Sequence, residues 1–148
     1  MEVMLLIRDF HEKDLKQVTA LIADTFNRNY NPEFYLSIFE RWPSGFLVVE
    51  EEHGLIGVLA AVTSAPKEAR ILLMAVRPAN RNRGIGTRLL SEFISRCIAL
   101  DLKAVNLEVR ISNEKAIRFY GTKGFNIISL LPNYYEDGEA GYLMRKLL

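Results

Sequence analysis

Apolar positions along this chain of 148 residues recur at two periods, about two residues in some stretches and three to four in others. Residues 5–8 predict a first strand. Leu15, Val18, Leu21, Ile22 and Phe26 then follow at helical spacing behind Asp9 and Glu12, a pair spaced like a capping box. Residues 33–41, with Phe34, Tyr35, Ile38 and Phe39, predict a second short helix that ends before Pro43. Residues 46–49 and 55–62 predict two strands joined by the turn Glu51-Glu52-His53-Gly54. Residues 71–76 are nearly all apolar, as in a strand buried on both faces.

From Thr87 the period changes to that of a helix, with Leu89, Leu90, Phe93, Ile94, Cys97 and Ile98 on one stripe. Residues 103–110 alternate, so that Val105, Leu107 and Val109 face one way and Asn106, Glu108 and Arg110 the other. Either Ser112 or Asn113 can cap the next helix, which runs to Lys123 and stops at Gly124. Strands at 125–130 and 141–147 flank a loop containing Asp137-Gly138. The sum is one α/β (α+β) domain over residues 1–148, a mixed sheet of about seven strands with helices on both faces.

Composition narrows the function. Hydrophobic residues make up 49% and charged residues 25%, the profile of a soluble globular protein. The apolar run at residues 4–7 is too short for a signal peptide or a membrane span, so a cytoplasmic protein without a membrane partner is expected. Cys97 is the single cysteine, which excludes an internal disulfide; with only His11 and His53 beside it, no metal site is expected. A net charge of +1 argues against nucleic acid as a partner. Residues 67–88 nevertheless concentrate six basic side chains (Lys67, Arg70, Arg77, Arg81, Arg83, Arg88) against one acid, Glu68.

Inside that basic stretch, Arg81-Asn82-Arg83-Gly84-Ile85-Gly86 separates a buried strand from an amphipathic helix. A helix start exposes unpaired N–H groups and positive potential, and glycines let a backbone come close to a diphosphate. There is no Gly-Lys-Ser or Gly-Lys-Thr for a P-loop, and Leu89 stands where a dinucleotide fingerprint needs its third glycine.

The segment Val76-Arg77-Pro78-Ala79-Asn80-Arg81-Asn82-Arg83-Gly84-Ile85-Gly86-Thr87-Arg88-Leu89-Leu90 resembles the acyl-CoA-binding motif of the GNAT acetyltransferase superfamily. Asn113-Glu114-Lys115-Ala116-Ile117-Arg118-Phe119-Tyr120-Gly121-Thr122-Lys123-Gly124-Phe125 is similar to the downstream motif of the same superfamily. The resemblance implies a GNAT-like domain with a mostly antiparallel mixed sheet, and acetyl-CoA as cofactor. It also implies cofactor binding by Met74, Ala75 and Val76, by Arg81, Arg83, Gly84, Ile85, Gly86, Thr87 and Arg88, and by Asn113 and Tyr120.

Acetyl transfer from a thioester to an amine needs a group that takes a proton from the amine and one that gives a proton to the thiolate. A carboxylate and a phenol suit these tasks. The arrangement of Glu108, Asn113 and Tyr120 resembles that of ribosomal-protein alanine acetyltransferases, which implies Glu108 as base and Tyr120 as acid. Direct attack within a ternary complex follows, because Cys97 on its apolar stripe reads as a packing residue.

The acceptor is read from less. Asn133-Tyr134-Tyr135-Glu136-Asp137-Gly138-Glu139 is similar to the last hairpin of protein N-terminal acetyltransferases, which implies substrate binding by Tyr134, Tyr135 and Glu108, faced by Tyr30 and Phe34. Glu136, Asp137 and Glu139 either attract a cationic amine or form an exposed acidic turn. Gly121, Lys123, Ala140 and Gly141 depart from the subfamily's usual residues. A protein N-terminus is the expected acceptor, and the working form is a monomer or homodimer. Lysine, a small-molecule amine, or a non-catalytic acyl-CoA sensor remain the alternatives.

Overall fold

A computed structural model of the protein describes residues 5–26 and 31–148. The chain order is β1 (Leu6–Asp9), α1 (Leu15–Phe26), α2 (Pro32–Arg41), β2 (Phe46–Glu51), β3 (Gly54–Ala65), β4 (Glu68–Val76), α3 (Ile85–Ala99), β5 (Ala104–Arg110), α4 (Glu114–Thr122), β6 (Asn126–Leu131) and β7 (Gly141–Leu147). The seven strands form one sheet in the order β1-β2-β3-β4-β5-β7-β6. Only β4 and β5 run parallel; every other neighbouring pair is antiparallel.

Each face of the sheet carries its own core. Val18, Leu21 and Ile22 of α1 and Tyr35 and Ile38 of α2 pack on Phe46, Val48, Val58, Ala60 and Val62. On the other face Leu89, Leu90, Phe93 and Cys97 of α3 and Tyr120 of α4 pack on Leu47, Leu59, Ile71, Val105 and Leu107. These residues sit at the helical and alternating spacings of the sequence, and burying a Val, Leu, Ile or Phe side chain contributes about 1.5–3 kcal/mol. Two stripe positions differ. Ile98 is 59% exposed in the last turn of α3, and Phe26 is 44% exposed at the end of α1, where it faces the cavities described below.

The first helix boundary also differs from the sequence expectation. Asp9 and Glu12 do not cap it. The His11 N–H donates to the Asp14 carboxylate at 2.9 Å, opening a 3-10 turn (Glu12–Asp14) that leads into α1. Arg8 donates to the same carboxylate at 2.8 and 2.9 Å, and Asp14 is the one buried charged side chain among the described residues. Asp9 belongs to β1 and pairs with Arg96 of α3 instead.

β3 and β4 are longer than their apolar runs, since Thr63 to Ala65 and Glu68 to Arg70 extend the hairpin, with Ala69 still in the core. β4 is not buried on both faces: Leu72, Leu73, Met74 and Val76 are only half-buried. The cause is its pairing. Glu68, Ala69 and Arg70 pair with Ala104, Val105 and Asn106, and the pairing then stops. At that level β4 takes an extra residue, with Ala60 opposite Leu73 and Ala61 opposite Ile71, so Leu72 is bulged. A bulge bends its strand and sharpens the twist. β4 turns away from β5, and a gap opens inside the sheet.

Candidate active site

The gap holds two adjoining cavities. The first, about 520 Å³, is lined by Ile71 to Met74 of β4, Leu107 to Arg110 of β5, and Phe26, Asn113, Ala116, Tyr120 and Tyr135. The second, about 540 Å³, is lined by Met74, Ala75 and Val76, by the loop and start of α3 from Asn80 to Thr87 without Arg83, and by Thr25, Lys115 and Phe119. Phe26, Met74, Asn113, Ala116 and Tyr120 line both. The two cavities therefore adjoin at Tyr120 and these four neighbours.

The second cavity suits an extended anionic cofactor. Gly84 caps α3 with φ 75°, a left-handed conformation that costs an L residue about 1–2 kcal/mol, and Arg88 N–H already reaches back to its carbonyl at 3.0 Å. The N–H groups of Ile85, Gly86 and Thr87 in the first turn have no carbonyl one turn earlier in the helix. A Cβ on Gly86 would lie 3.7 Å from Phe119 and 4.0 Å from Met74, both lining residues, so glycine keeps this wall back. Past Arg70 the backbone of β4 has no strand partner on its β5 side, which leaves hydrogen-bonding groups for an extended chain. Thr25 adds a buried hydroxyl that has no hydrogen-bond partner.

Most residues expected at a cofactor site converge here: Met74, Ala75, Val76, Arg81, Gly84, Ile85, Gly86, Thr87, Asn113 and Tyr120 all line this cavity. Arg83 and Arg88 do not. The Arg83 guanidinium is held by both carboxylate oxygens of Glu51 at 3.3 Å, and Arg88 is exposed on the next turn of α3. Asn113 caps α4, its Oδ1 accepting from Ala116 N–H at 3.1 Å. The sequence does not assign Lys115, Thr25 and Phe26 to this cavity, because nothing in their spacing shows that two helix ends meet at one gap.

Glu108 and Tyr120 both line the first cavity. Tyr120 is 9% exposed, and burial pushes its phenol well above its ordinary value, so it stays protonated through neutral pH. Its ring packs edge-on against Phe119 and Phe125 at 5.2 and 5.5 Å. The Glu108 carboxylate accepts from Arg70 Nε at 3.0 Å, and another nitrogen of that guanidinium donates to the Tyr134 hydroxyl at 3.2 Å. The sequence does not mark Arg70 for this place, because its two partners lie 38 and 64 positions away.

Of the expected acceptor-binding group, Tyr135 lines the first cavity, with Arg110 stacked 4.2 Å from its ring centroid. Burial, and next Tyr134, raise the Tyr135 phenol. Tyr134 stands one residue aside, edge-on to Tyr135 at 5.0 Å. Phe34 lines neither cavity and packs edge-on to Tyr35 at 5.5 Å; Tyr30 lies outside the described residues. Two of the three acids of the hairpin are engaged. Asp137 and Glu139 each accept from Arg110 at 2.8 Å, and Glu139 also accepts from Ser112 N–H. Asp137 is held below the usual carboxylate range by the Glu139 backbone and Arg110, and Glu139 by Ser112 and Arg110.

Residues 15–125 match the family described as Acetyltransferase (GNAT) family. This chain belongs to that family. An uncharacterized N-acetyltransferase of Methanocaldococcus jannaschii is 34% identical, over 96% of this chain and 91% of the relative. An N-alpha-acetyltransferase of Sulfurisphaera tokodaii is 29% identical, over 93% of this chain and 90% of the relative. The crystal structure of Ard1 from Thermoplasma volcanium superposes with a TM-score of 0.93 at 35% identity, covering 97% of each chain. The protein is an N-acetyltransferase, and its acetyl donor is acetyl-CoA.

The apolar stripe of α3 settles what Cys97 does. The thiol is fully buried, and burial pushes it up to about 12, so it is not a thiolate at neutral pH. A route through an acetylated cysteine has no nucleophile there. Among the described residues no cluster of His, Cys, Asp and Glu could hold a metal, and no helix is long and apolar enough to cross a membrane.

Proposed function

We propose that this enzyme acetylates the α-amine of protein N-termini, with the donor in the second cavity and the peptide in the first. Acetyl-CoA supplies the acetyl group as an activated thioester. The first-turn N–H groups of α3 with Arg81 and Lys115 hold its phosphates, the open edge of β4 holds its extended arm, and Thr25 offers a donor or acceptor along it. Glu108 takes a proton from the acceptor amine, directly or through a water, and Tyr120 returns one to the departing sulfur. Tyr135 and Tyr134 flank the peptide.

One observation carries the choice of acceptor: the one carboxylate lining the first cavity, and two of the three in the hairpin beside it, are already paired. Glu108 is matched by Arg70, and Asp137 and Glu139 by Arg110. A lysine side chain, with an ordinary pKa near 10.4, arrives as an ammonium needing an unpaired anion; an α-amine, near 7.7–8.0, is partly neutral at physiological pH. The name of the Sulfurisphaera relative agrees. The test compares CoA release with three acceptors: a peptide with a free N-terminus and no lysine, its N-blocked lysine counterpart, and spermidine. The free N-terminus is expected to react at least tenfold faster in kcat/KM. Equal or faster reaction of the blocked lysine peptide contradicts the proposal.

A further inference from the structure

We infer that Arg70 is a positioning residue of this enzyme, fixing Glu108 and the acceptor hairpin from behind the cavity wall. The inference rests on the base role proposed for Glu108. Arg70 is the last residue of β4 paired with β5, opposite Asn106, and the gap opens directly beyond it. It lines neither cavity, which places it outside the two ligand sites proposed above. Its side chain is 38% exposed, while that of Glu108 is 17% exposed.

The guanidinium makes two contacts in different directions. Nε binds the Glu108 carboxylate on β5, and a terminal nitrogen binds the Tyr134 hydroxyl in the loop before β7. Tyr134 packs on Tyr135, and Tyr135 lies under Arg110, which grips Asp137 and Glu139 of the same loop. Arg70 thus closes a ring of contacts running from β4 to β5 and through the loop back to β5. A planar fork holds two partners at fixed angles; a lysine has one ammonium and reaches one of them at a time. The neighbouring donors are engaged elsewhere. Arg145 and Asn106 both bind Glu68, so neither replaces Arg70 at Glu108. Without the fork, the carboxylate is free to rotate away from the amine, and the tyrosine pair loses its tie to the sheet.

The test is a double-mutant cycle between Arg70→Ala and Glu108→Gln, using whichever of the three acceptors above the wild type acetylates fastest. Loss of the N-terminal preference therefore contradicts the proposed function without disturbing this cycle. Arg70→Ala is expected to lower kcat at least tenfold, leave the CoA dissociation constant within twofold, and change kcat less than twofold in the Glu108→Gln background. Arg70→Lys is expected to recover part of the lost kcat. If Arg70→Ala lowers the melting temperature sharply, Arg70→Gln is read in its place by the same criteria. Additive losses overturn the positioning role, as does wild-type kcat in Arg70→Ala. Wild-type kcat in Glu108→Gln overturns it together with the base assignment.

Discussion

Replacing Tyr120 with Phe separates chemistry from stability in a single atom. The ring of Tyr120 is buried between Phe119 and Phe125, and its hydroxyl makes no hydrogen bond among the described residues. Removing it forfeits neither a bond nor packing, so the stability change is expected to stay within about 0.5 kcal/mol. Proton donation by a placed side chain contributes about 10²–10⁴ in rate, equivalent to about 3–5 kcal/mol of barrier. Tyr120→Phe should therefore lower kcat by at least a hundredfold at an unchanged melting temperature and CoA affinity. Thiol release measured with a chromogenic disulfide, thermal melts and calorimetric titration with CoA supply the three readings. The phenol is raised by burial, so it remains an acid as pH rises through neutrality, and the deficit should persist across pH 6–9. A variant that keeps kcat within threefold of wild type would refute Tyr120 as the acid.

Three further substitutions test the scaffold. Gly86→Val pushes methyl groups toward Phe119 and Met74 across the second cavity; CoA affinity should fall at least tenfold, about 1.4 kcal/mol, and unaltered affinity by titration would contradict the cofactor assignment. Gly121 lies in α4 with nothing within 4 Å of the place a Cβ would take, so Gly121→Ala should stabilise by about 0.5–1 kcal/mol, raising the melting temperature by about 1–4 °C. Asp14→Ala removes the carboxylate that Arg8 holds below its usual range and leaves that guanidinium with Glu50 as its carboxylate partner; the cost should be about 1.5–3 kcal/mol in urea unfolding. Because the Asp14 pKa is depressed in the folded state, its contribution is present above about pH 4 and fades as pH falls. The variant should show a shallower loss of stability on acidification.

Much of this is legible in the residues. The spacing of Val18, Leu21 and Ile22, and of Leu89, Phe93 and Cys97, identifies helices that do cover the two faces. The glycine loop before α3 does line a cavity, and Glu108 and Tyr120 do share one. What spacing does not convey is strand pairing. The apolar run from Ile71 to Val76 looks like a strand enclosed on all sides, yet a bulge at Leu72 and the loss of pairing beyond Arg70 convert it into the wall of a cleft. Side-chain partners far apart in sequence are equally hidden. The pairing of Arg83 with Glu51 is not visible in the spacing, and Arg70 is one basic residue among six. The hairpin acids look available for a cationic amine, but Arg110 engages two of them from β5.

The central claim is that donor and acceptor meet inside the gap between β4 and β5, beside Tyr120. A crystal structure with a conjugate joining CoA to the α-amine of a short peptide through an acetyl bridge tests it directly. The conjugate is expected to thread both cavities, with its pyrophosphate at the N-terminus of α3, its sulfur beside Tyr120 and its peptide between Glu108 and Tyr135. A conjugate whose CoA half occupies the second cavity while its peptide leaves by any path other than the first would contradict the account.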